Sequence, residues 1–452
     1  MASAAEQLFA NLNFDSFRKA TELKRRIWFT LGALVVYRLG TFIPIPGVDL
    51  VHYADSFQKS QGGFLGMFNM FSGGAVERLA IFTLGIMPYI STSIIIQLLT
   101  SVVPQLEAIK KDGEAGRKKI NQYTRYGTVF LCTLQAYGTA LGLEAGNNVV
   151  EPGWFFRATT VITLVGGTMF LMWLGEQITA RGVGNGISLI IFAGITAAVP
   201  ASFVNLMQLA DKAAVNRLWV PGILVMGVVI IAFIVFMERA QRRLLVQYPK
   251  RQQGNKMFQG DSSHLPLKLN TAGVIPPIFA SSLLLLPATF ANFETRSLGT
   301  GWEWLNTVNA LLARGSFVHE LLYVALIIFF CFFYTAVVFN TKETAENLKK
   351  YGGFIQGIRP GERTAQFLDY VLTRITVAGA IYIALVCVLP EILTTNVGIP
   401  IYLGGTSLLI AVSVTMDTIA QIQSHLLAHQ YEGLIKKSKL RGGGISPIGR
   451  KR

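Results

Sequence analysis

The chain alternates between apolar runs long enough to cross a lipid bilayer and loops that carry its charge, and this alternation restricts its fold more than any motif does. A spanning helix needs about 20 predominantly apolar residues. Runs of that kind lie near residues 27–43, 79–100, 126–143, 155–175, 186–207, 220–237, 272–292, 320–340, 373–393 and 404–424. The hydrocarbon core offers no water to satisfy exposed amides, so such runs have to be helical. The expected fold is an all-α membrane protein with ten transmembrane helices. Hydrophobic residues make up 52% of the 452 and charged residues only 14%, as expected of a chain that crosses a membrane many times.

The net charge of +15 would suggest nucleic acid in a soluble protein, but here its placement matters more than its sign. Of the 40 lysines and arginines, 32 fall before the first run, in the segments around 105–125, 176–185, 238–271 and 341–374, and in the tail. Seven fall in the alternate loops, and Arg38 lies inside the first run. The excess of basic residues on one side places both termini in the cytoplasm. Nucleic-acid binding is excluded because the basic loops are separated by spans and never form a domain of their own. In the arm, 1–26, Leu8, Phe9, Leu12 and Phe17 fall at near-helical spacing before a basic cluster, which predicts an amphipathic helix on a membrane face. The arm lacks the short apolar core and cleavage site of a secretory signal, so no segment is expected to be removed.

Ten spans divide into halves of five, and an odd number of crossings makes the second half enter from the opposite face. The expected units are the arm, an N-terminal half at 27–207, a C-terminal half at 208–424 with loops 238–271 and 341–374, and a basic tail at 425–452. Inverted halves place a pathway at their seam, near the bilayer midplane. One stretch fits no simple span. Phe64 to Phe71 is apolar for only about two helical turns and ends in Ser72, Gly73 and Gly74. From Leu79 to Leu99 the chain is apolar for long enough, yet Gly85 and Pro88 interrupt it. A segment too short to span, joined to a broken helix, has to be sheltered within the bundle, because lipid would not tolerate it.

Ionisable groups that could support catalysis or ion coupling at mid-depth are scarce. Arg38 sits late in the first span, Glu176 and Glu391 at span ends, and Asp417 in the last third of the tenth. They form no acid pair and no hydrolase or metalloprotease motif, and the ordinary reading is a charge that reaches a headgroup or pairs inside the bundle. No phosphate loop is present, so the chain is expected not to be an enzyme and to draw energy from elsewhere. Cys132, Cys331 and Cys387 lie in apolar runs with no CxxC and no nearby histidine, as packing residues do. No metal or cofactor is expected. Isoleucines recur instead at one-turn spacing: Ile86 with Ile90, Ile187 with Ile191, Ile275 with Ile278. Such a stripe ordinarily faces lipid or packs in a core, and its functional reading is a constriction that excludes water by dewetting.

Longer blocks add a resemblance: PIPG (44–47), FNMFSGGA (68–75), LGIMPYISTSIIIQLL (84–99), GRKKINQYTRYGT (116–128), MFLMWLGEQITARGVGNGISLIIFAGI (169–195), KRQQG (250–254), HLPLKLNTAGVIPPIFASS (264–282), FCFFYTAVVFN (330–340) and GIRPGERT (357–364). In these blocks and their order the chain closely resembles the SecY family of bacterial preprotein-conducting channels over essentially its full length. The resemblance implies two inverted five-helix halves around a central hourglass pore, hinged between spans 5 and 6 and opening to lipid between spans 2 and 7. It implies a pore ring at Ile86, Ile90, Ile187, Ile191, Ile278 and Ile410. It also implies a plug from about Phe64 to Arg78, containing Phe68, Met70, Phe71, Gly73 and Gly74. The lateral gate would carry Ser91 and Gln97 facing Asn270, and partner docking would use Arg251, Lys256 and Arg359. Where the family often has two basic residues after KRQQG, this chain has Asn255 and Lys256, so one charge is missing. The implied partners are SecE across the hinge, a peripheral SecG, the motor ATPase SecA, the ribosome, signal sequences, unfolded polypeptides and membrane lipids. The implied location is the bacterial inner membrane, and the implied function is passive, gated passage of secretory proteins with lateral release of membrane proteins. A secondary transporter would share inverted repeats and broken helices but needs coupling charges at mid-depth, and an intramembrane enzyme needs a nucleophile or metal constellation.

Overall fold

Every apolar run contains a helix, although the helix and the run do not always share their ends. The computed structural model describes residues 21–60, 69, 71–146, 148–211, 219–248, 251–253, 256–258, 262–294, 316–397 and 404–442. The first run lies in α1 (Thr21–Gly40), which begins among the basic residues of the arm and carries Arg38 in its last turn. Lys24, Arg25 and Arg26 are therefore continuous with the first span, while Leu8, Phe9, Leu12 and Phe17 lie outside the described residues. A short α2 (Leu50–Ser60) follows, then α3 (Met87–Val102), α4 (Pro104–Lys111), α5 (Glu114–Ala145), α6 (Trp154–Arg181), α7 (Gly186–Asp211) and α8 (Trp219–Arg239). Further along come α9 (Ile275–Glu294), α10 (Phe317–Val338), α11 (Thr341–Lys350), α12 (Glu362–Val397) and α13 (Gly405–Gly442).

Among the described residues five helices are long and apolar enough to cross a membrane: α6, α7, the run from Phe317 to Lys350, α12 and α13. The pair α3 and α4 would supply another, but it is bent by 99°. The bend has a local cause. Pro104 disfavours helical dihedrals in the residue before it, and Val103 is extended at φ −94° and ψ 114°. The tail boundary expected at 425 is not marked by any break, since α13 continues to Gly442.

Gly85 and Pro88 act differently from the expectation of a helix broken in its middle. Residues 79–86 are turns, with Leu79 at φ 45° and Gly85 at φ 55°, and the helix begins only at Met87. Pro88 occupies its first turn, where a missing amide proton costs nothing. The irregular backbone finds partners nearby: the Ile45 amide donates to the Leu79 carbonyl at 2.8 Å and the Ile81 amide to the Ile43 carbonyl at 2.9 Å. Gly167 of α6 lets this stretch dock closely, because a Cβ there would stand 2.2 Å from the Ile81 carbonyl oxygen.

The main core joins Tyr37, Phe82, Leu171, Ile195, Phe330, Ile383 and Leu409 in one cluster that runs through both halves of the sequence. A second cluster seals α5 against α6, where Cys132, Ala136 and Ala140 are fully buried and small enough to let the helices approach. Cys331 and Cys387 are buried in the main core, and none of the three cysteines forms a disulfide.

The all-α expectation needs one correction. The loop after α8 folds into β1 (Gln241–Gln247), β2 (Arg251–Gln253), β3 (Lys256–Phe258) and β4 (Ser262–Lys268), and the loop after α11 adds β5 (Phe354–Ile355). β1 is central in an antiparallel sheet ordered β4-β1-β5, with Gln241 opposite Lys268 and Val246 opposite Ile355. The period-2 pattern explains it: Leu244 and Val246 are buried and Leu245 is exposed. Together with Leu267 and Ile355 they pack on Leu368, Val371 and Ile375 of α12.

Two neighbouring glycines of α6 test the docking of the turn segment. Gly166→Ala meets nothing within 4 Å and should be neutral or slightly stabilising, whereas Gly167→Ala drives its methyl into the Ile81 carbonyl and should cost about 1–3 kcal/mol. Thermal unfolding of the two purified variants in detergent measures the difference; equal midpoints would mean that the contact at Gly167 relaxes freely.

Candidate functional site

Four helices contribute the isoleucines singled out in the sequence, all near their starts. Ile86 is the N-cap of α3 and Ile90 lies in its first turn; Ile187 and Ile191 occupy the first two turns of α7, Ile278 the first turn of α9 and Ile410 the second turn of α13. Five of the six are buried in the main core, and Ile187 packs against it half-buried. Ile86, Ile90, Ile191 and Ile278 line a cavity with room for about one water molecule, and Phe71, Ser72, Leu84, Gly85 and Met87 complete its wall. Its aliphatic side chains give a water few of the partners it would need there. Ile410, fully buried, stands outside that lining.

Of the residues expected in the short segment, Phe64, Phe68 and Met70 lie outside the described residues, while Phe71, Gly73 and Gly74 are placed. Gly73 at φ 69° and Gly74 at φ 87° turn the chain through the left-handed region, where other residues are strained. The segment folds partly on itself: Asn69 Oδ1 accepts from the Glu77 amide at 3.0 Å, and the Thr83 hydroxyl donates to the Ala75 carbonyl at 3.2 Å. It is also held from outside. The Tyr37 hydroxyl donates to the Ser72 carbonyl at 3.1 Å, Arg38 Nη1 to the Gly73 carbonyl at 2.7 Å, and the Tyr53 hydroxyl to the Val76 carbonyl at 3.0 Å. Burial pushes the Tyr53 phenol up to about 12, so it stays a neutral donor at physiological pH. Gly194 of α7 gives the segment its seat, for a Cβ there would lie 2.8 Å from the Phe71 carbonyl oxygen and 3.2 Å from the Gly73 nitrogen.

Arg38 thus reaches a main-chain oxygen of the short segment, a partner that no residue pattern foretells. Its guanidinium also lies 5.3 Å from the Phe42 ring centroid, with Arg78 at 4.1 Å from the same ring. Glu176 pairs with Arg125 of α5 at 2.6 Å, tying α5 to α6, and Asp417 is exposed on α13. The Glu391 side chain lies outside the described residues.

At the seam of α3 and α9, Ser91 is buried and Gln97 is half-buried with an Oε1 that accepts no hydrogen bond among the described residues. Asn270 is engaged within its own half. Its Nδ2 donates to Glu238 Oε1 at 2.7 Å and to the Gly273 carbonyl at 3.1 Å, and its Oδ1 accepts from the Gly273 amide at 2.9 Å. Among the described residues, a polar contact that crosses from α9 to α3 is the Ser282 hydroxyl, 4.0 Å from the Met87 sulfur. The sequence named neither Glu238 nor Ser282, and residue spacing alone carries no sign of either contact.

The basic residues expected to dock partners sit on the sheet unit. Arg251 and Lys256 belong to the β2/β3 pair, where Arg251 is opposite Phe258 and Lys256 opposite Gln253. Arg359 is exposed on a turn shaped by Gly357 at φ 84° and Gly361 at φ 111°, and its carbonyl accepts from the Thr364 hydroxyl at 2.9 Å.

Residues 80–419 match the family model for SecY. The chain is 53% identical to the protein translocase subunit SecY of Rickettsia bellii (strain RML369-C) over 436 residues, which covers 95% of this chain and all of that one. In fold it is similar, at TM-score 0.64 and 18% identity over 89% of this chain and 92% of the other, to a SecY structure whose plug domain stabilises the closed state of the translocation channel and maintains a membrane seal. It is similar too, at TM-score 0.61 and 16% identity with the same coverage, to Sec61 in the canine ribosome-channel complex from the endoplasmic reticulum.

Placing a hydrogen-bonding group in the aliphatic cavity should wet it. Ile90→Asn should raise the resting ion leak of reconstituted liposomes about tenfold, as expected when a barrier falls by about 1.4 kcal/mol. Ile95→Asn, on an exposed position of the same helix, should leave the leak unchanged. Equal leaks would assign the effect to general destabilisation.

Proposed function

The chain belongs to the SecY family, and from that premise we propose that it forms the channel through which a bacterial protein translocase passes unfolded secretory proteins and releases apolar segments sideways into lipid. The observation that carries this reading is the small, mainly aliphatic cavity lined by isoleucines from α3, α7 and α9 together with Phe71 and Ser72. An aliphatic constriction repacks around any passing peptide, whereas a charged or hydrogen-bonded filter would demand one substrate chemistry. In this reading Ile86, Ile90, Ile187, Ile191, Ile278 and Ile410 are the pore ring, and the segment from about 64 to 78 is the plug. The ten runs make two inverted five-helix halves, 27–207 and 208–424, around an hourglass pore. Support comes from the odd number of runs in each half and from the contribution of both halves to one core. In this reading the α3/α9 seam is the lateral gate, lined by Ser91 and Gln97 and bridged by the Met87–Ser282 contact, with Asn270 bracing the start of α9 through Glu238.

The chain lies in the bacterial inner membrane with both termini in the cytoplasm, a reading supported by the 32 basic residues that sort to one side. The sheet unit with Arg251, Lys256 and Arg359 is then the cytoplasmic docking surface for the ribosome and SecA, and SecE and SecG complete the complex. Ribosome docking is supported by the likeness in fold to ribosome-bound Sec61. Energy comes from these partners rather than from chemistry in the spans.

Import of a secretory precursor into inverted vesicles, driven by the motor ATPase, tests the proposal against uptake of labelled small solutes. Arg359→Glu should cut import about tenfold or more at equal channel amounts, because a guanidinium that grips a partner's carboxylate becomes a repelling charge. Arg359→Lys should recover only part, since an ammonium cannot reproduce the bidentate geometry. Near-normal import by the Glu variant would move the docking role away from Arg359, and solute uptake without precursor import would overturn the channel reading.

A further inference from the structure

We propose that Tyr37, Arg38 and Tyr53 form a latch that holds the plug closed through its main-chain carbonyls, with Gly194 as the seat that lets the plug come within reach. This rests on the channel reading above. Three donors from α1 and α2 converge on Ser72, Gly73 and Val76 over five consecutive residues of the plug, at 3.1, 2.7 and 3.0 Å. Tyr37 is buried, and its ring stacks on Phe82 with centroids 6.2 Å apart, so the hydroxyl is aimed by packing rather than by chance. Arg38 is aimed as well, with its guanidinium near the Phe42 ring.

The chemistry suits a reversible closure. Phe71 packs beside the isoleucines that line the cavity with it, but apolar packing alone is non-directional and would let the segment slide or turn. Hydrogen bonds to carbonyls fix its depth and orientation, and each is weak enough in a membrane interior to be given up when a polypeptide arrives. Position in the chain adds a second consequence. The three donors, their acceptors and Gly194 all precede residue 208, so they belong to one of the two proposed halves. Separating the halves would take Ile278 away from the cavity without breaking any latch bond. Gate opening and plug release are therefore distinct steps, and the latch governs only the second. These side chains are positioning residues: they touch the plug and not the passing chain.

The test uses the full-length chain in liposomes, with resting halide flux as the readout. Tyr37→Phe, which keeps the ring and removes only the hydroxyl, Tyr53→Phe and Arg38→Gln are each made in the intact chain and in a chain lacking residues 64–78. In the intact chain each should raise flux about threefold, the population change that a lost membrane hydrogen bond allows, and Arg38→Lys should leak less than Arg38→Gln. In the deleted chain none should add to the leak. Unchanged flux in the intact variants overturns the latch. So do equal rises with and without the plug, which would place the effect in the pore wall or in general stability. Precursor import by the unaltered chain reports on the channel reading separately, so failure of that assay is not confused with failure of the latch.

Discussion

A main-chain carbonyl or amide inside a membrane bundle must find a partner in the protein, and residues 72–86 are where that demand is hardest to meet. They are not a regular helix, yet they pack within the main core, between α1, α6 and α7. The rest of the bundle is arranged around satisfying them. Ile43 and Ile45 take the backbone of 79–81, Gly167 and Gly194 give up side chains so that the turns can approach α6 and α7, and Tyr37, Arg38 and Tyr53 cover carbonyls left over. A bundle of uninterrupted helices would have no such need and no internal segment to move.

On the side proposed as cytoplasmic the same economy takes another form. Two loops distant in sequence become one body because Val246 pairs with Ile355, and that body is fixed to α12 through Leu368, Val371 and Ile375. Open strand edges are tolerable there because water reaches them, which a lipid-exposed position would forbid. Arg359 and the β2/β3 hairpin are thereby carried on a common rigid base rather than on two independent tethers.

The helical spans were legible because length and hydropathy are one-dimensional properties, and the ten apolar runs each hold a helix. Local context decided the cases that differed. Gly85 and Pro88 read equally well as a break or as a start, and only the dihedrals of 79–86 distinguish them. The strand QRRLLVQ is too short and too charged to stand out beside membrane spans, and its partner Ile355 lies more than 100 residues away. Asn270 was placed at the seam by analogy, but its amide is satisfied by Glu238, a pairing that no periodicity encodes. Ile86 and Ile90 announced a stripe, whereas the convergence of three helices, α3, α7 and α9, on one cavity is a tertiary fact. Least legible of all were the donors to the short segment, because their acceptors are carbonyls, which every residue carries.

That last property has a consequence for how such a chain can change over time. A side-chain acceptor is lost when its codon mutates, but the carbonyls of Ser72, Gly73 and Val76 survive nearly any substitution at those positions. Drift in the segment is limited by shape, through the left-handed turns at Gly73 and Gly74, and hardly at all by polarity. The burden of inheritance falls on Tyr37, Arg38 and Tyr53, which lie outside the segment, so a lineage can rewrite much of the segment while the residues that grip it stay fixed.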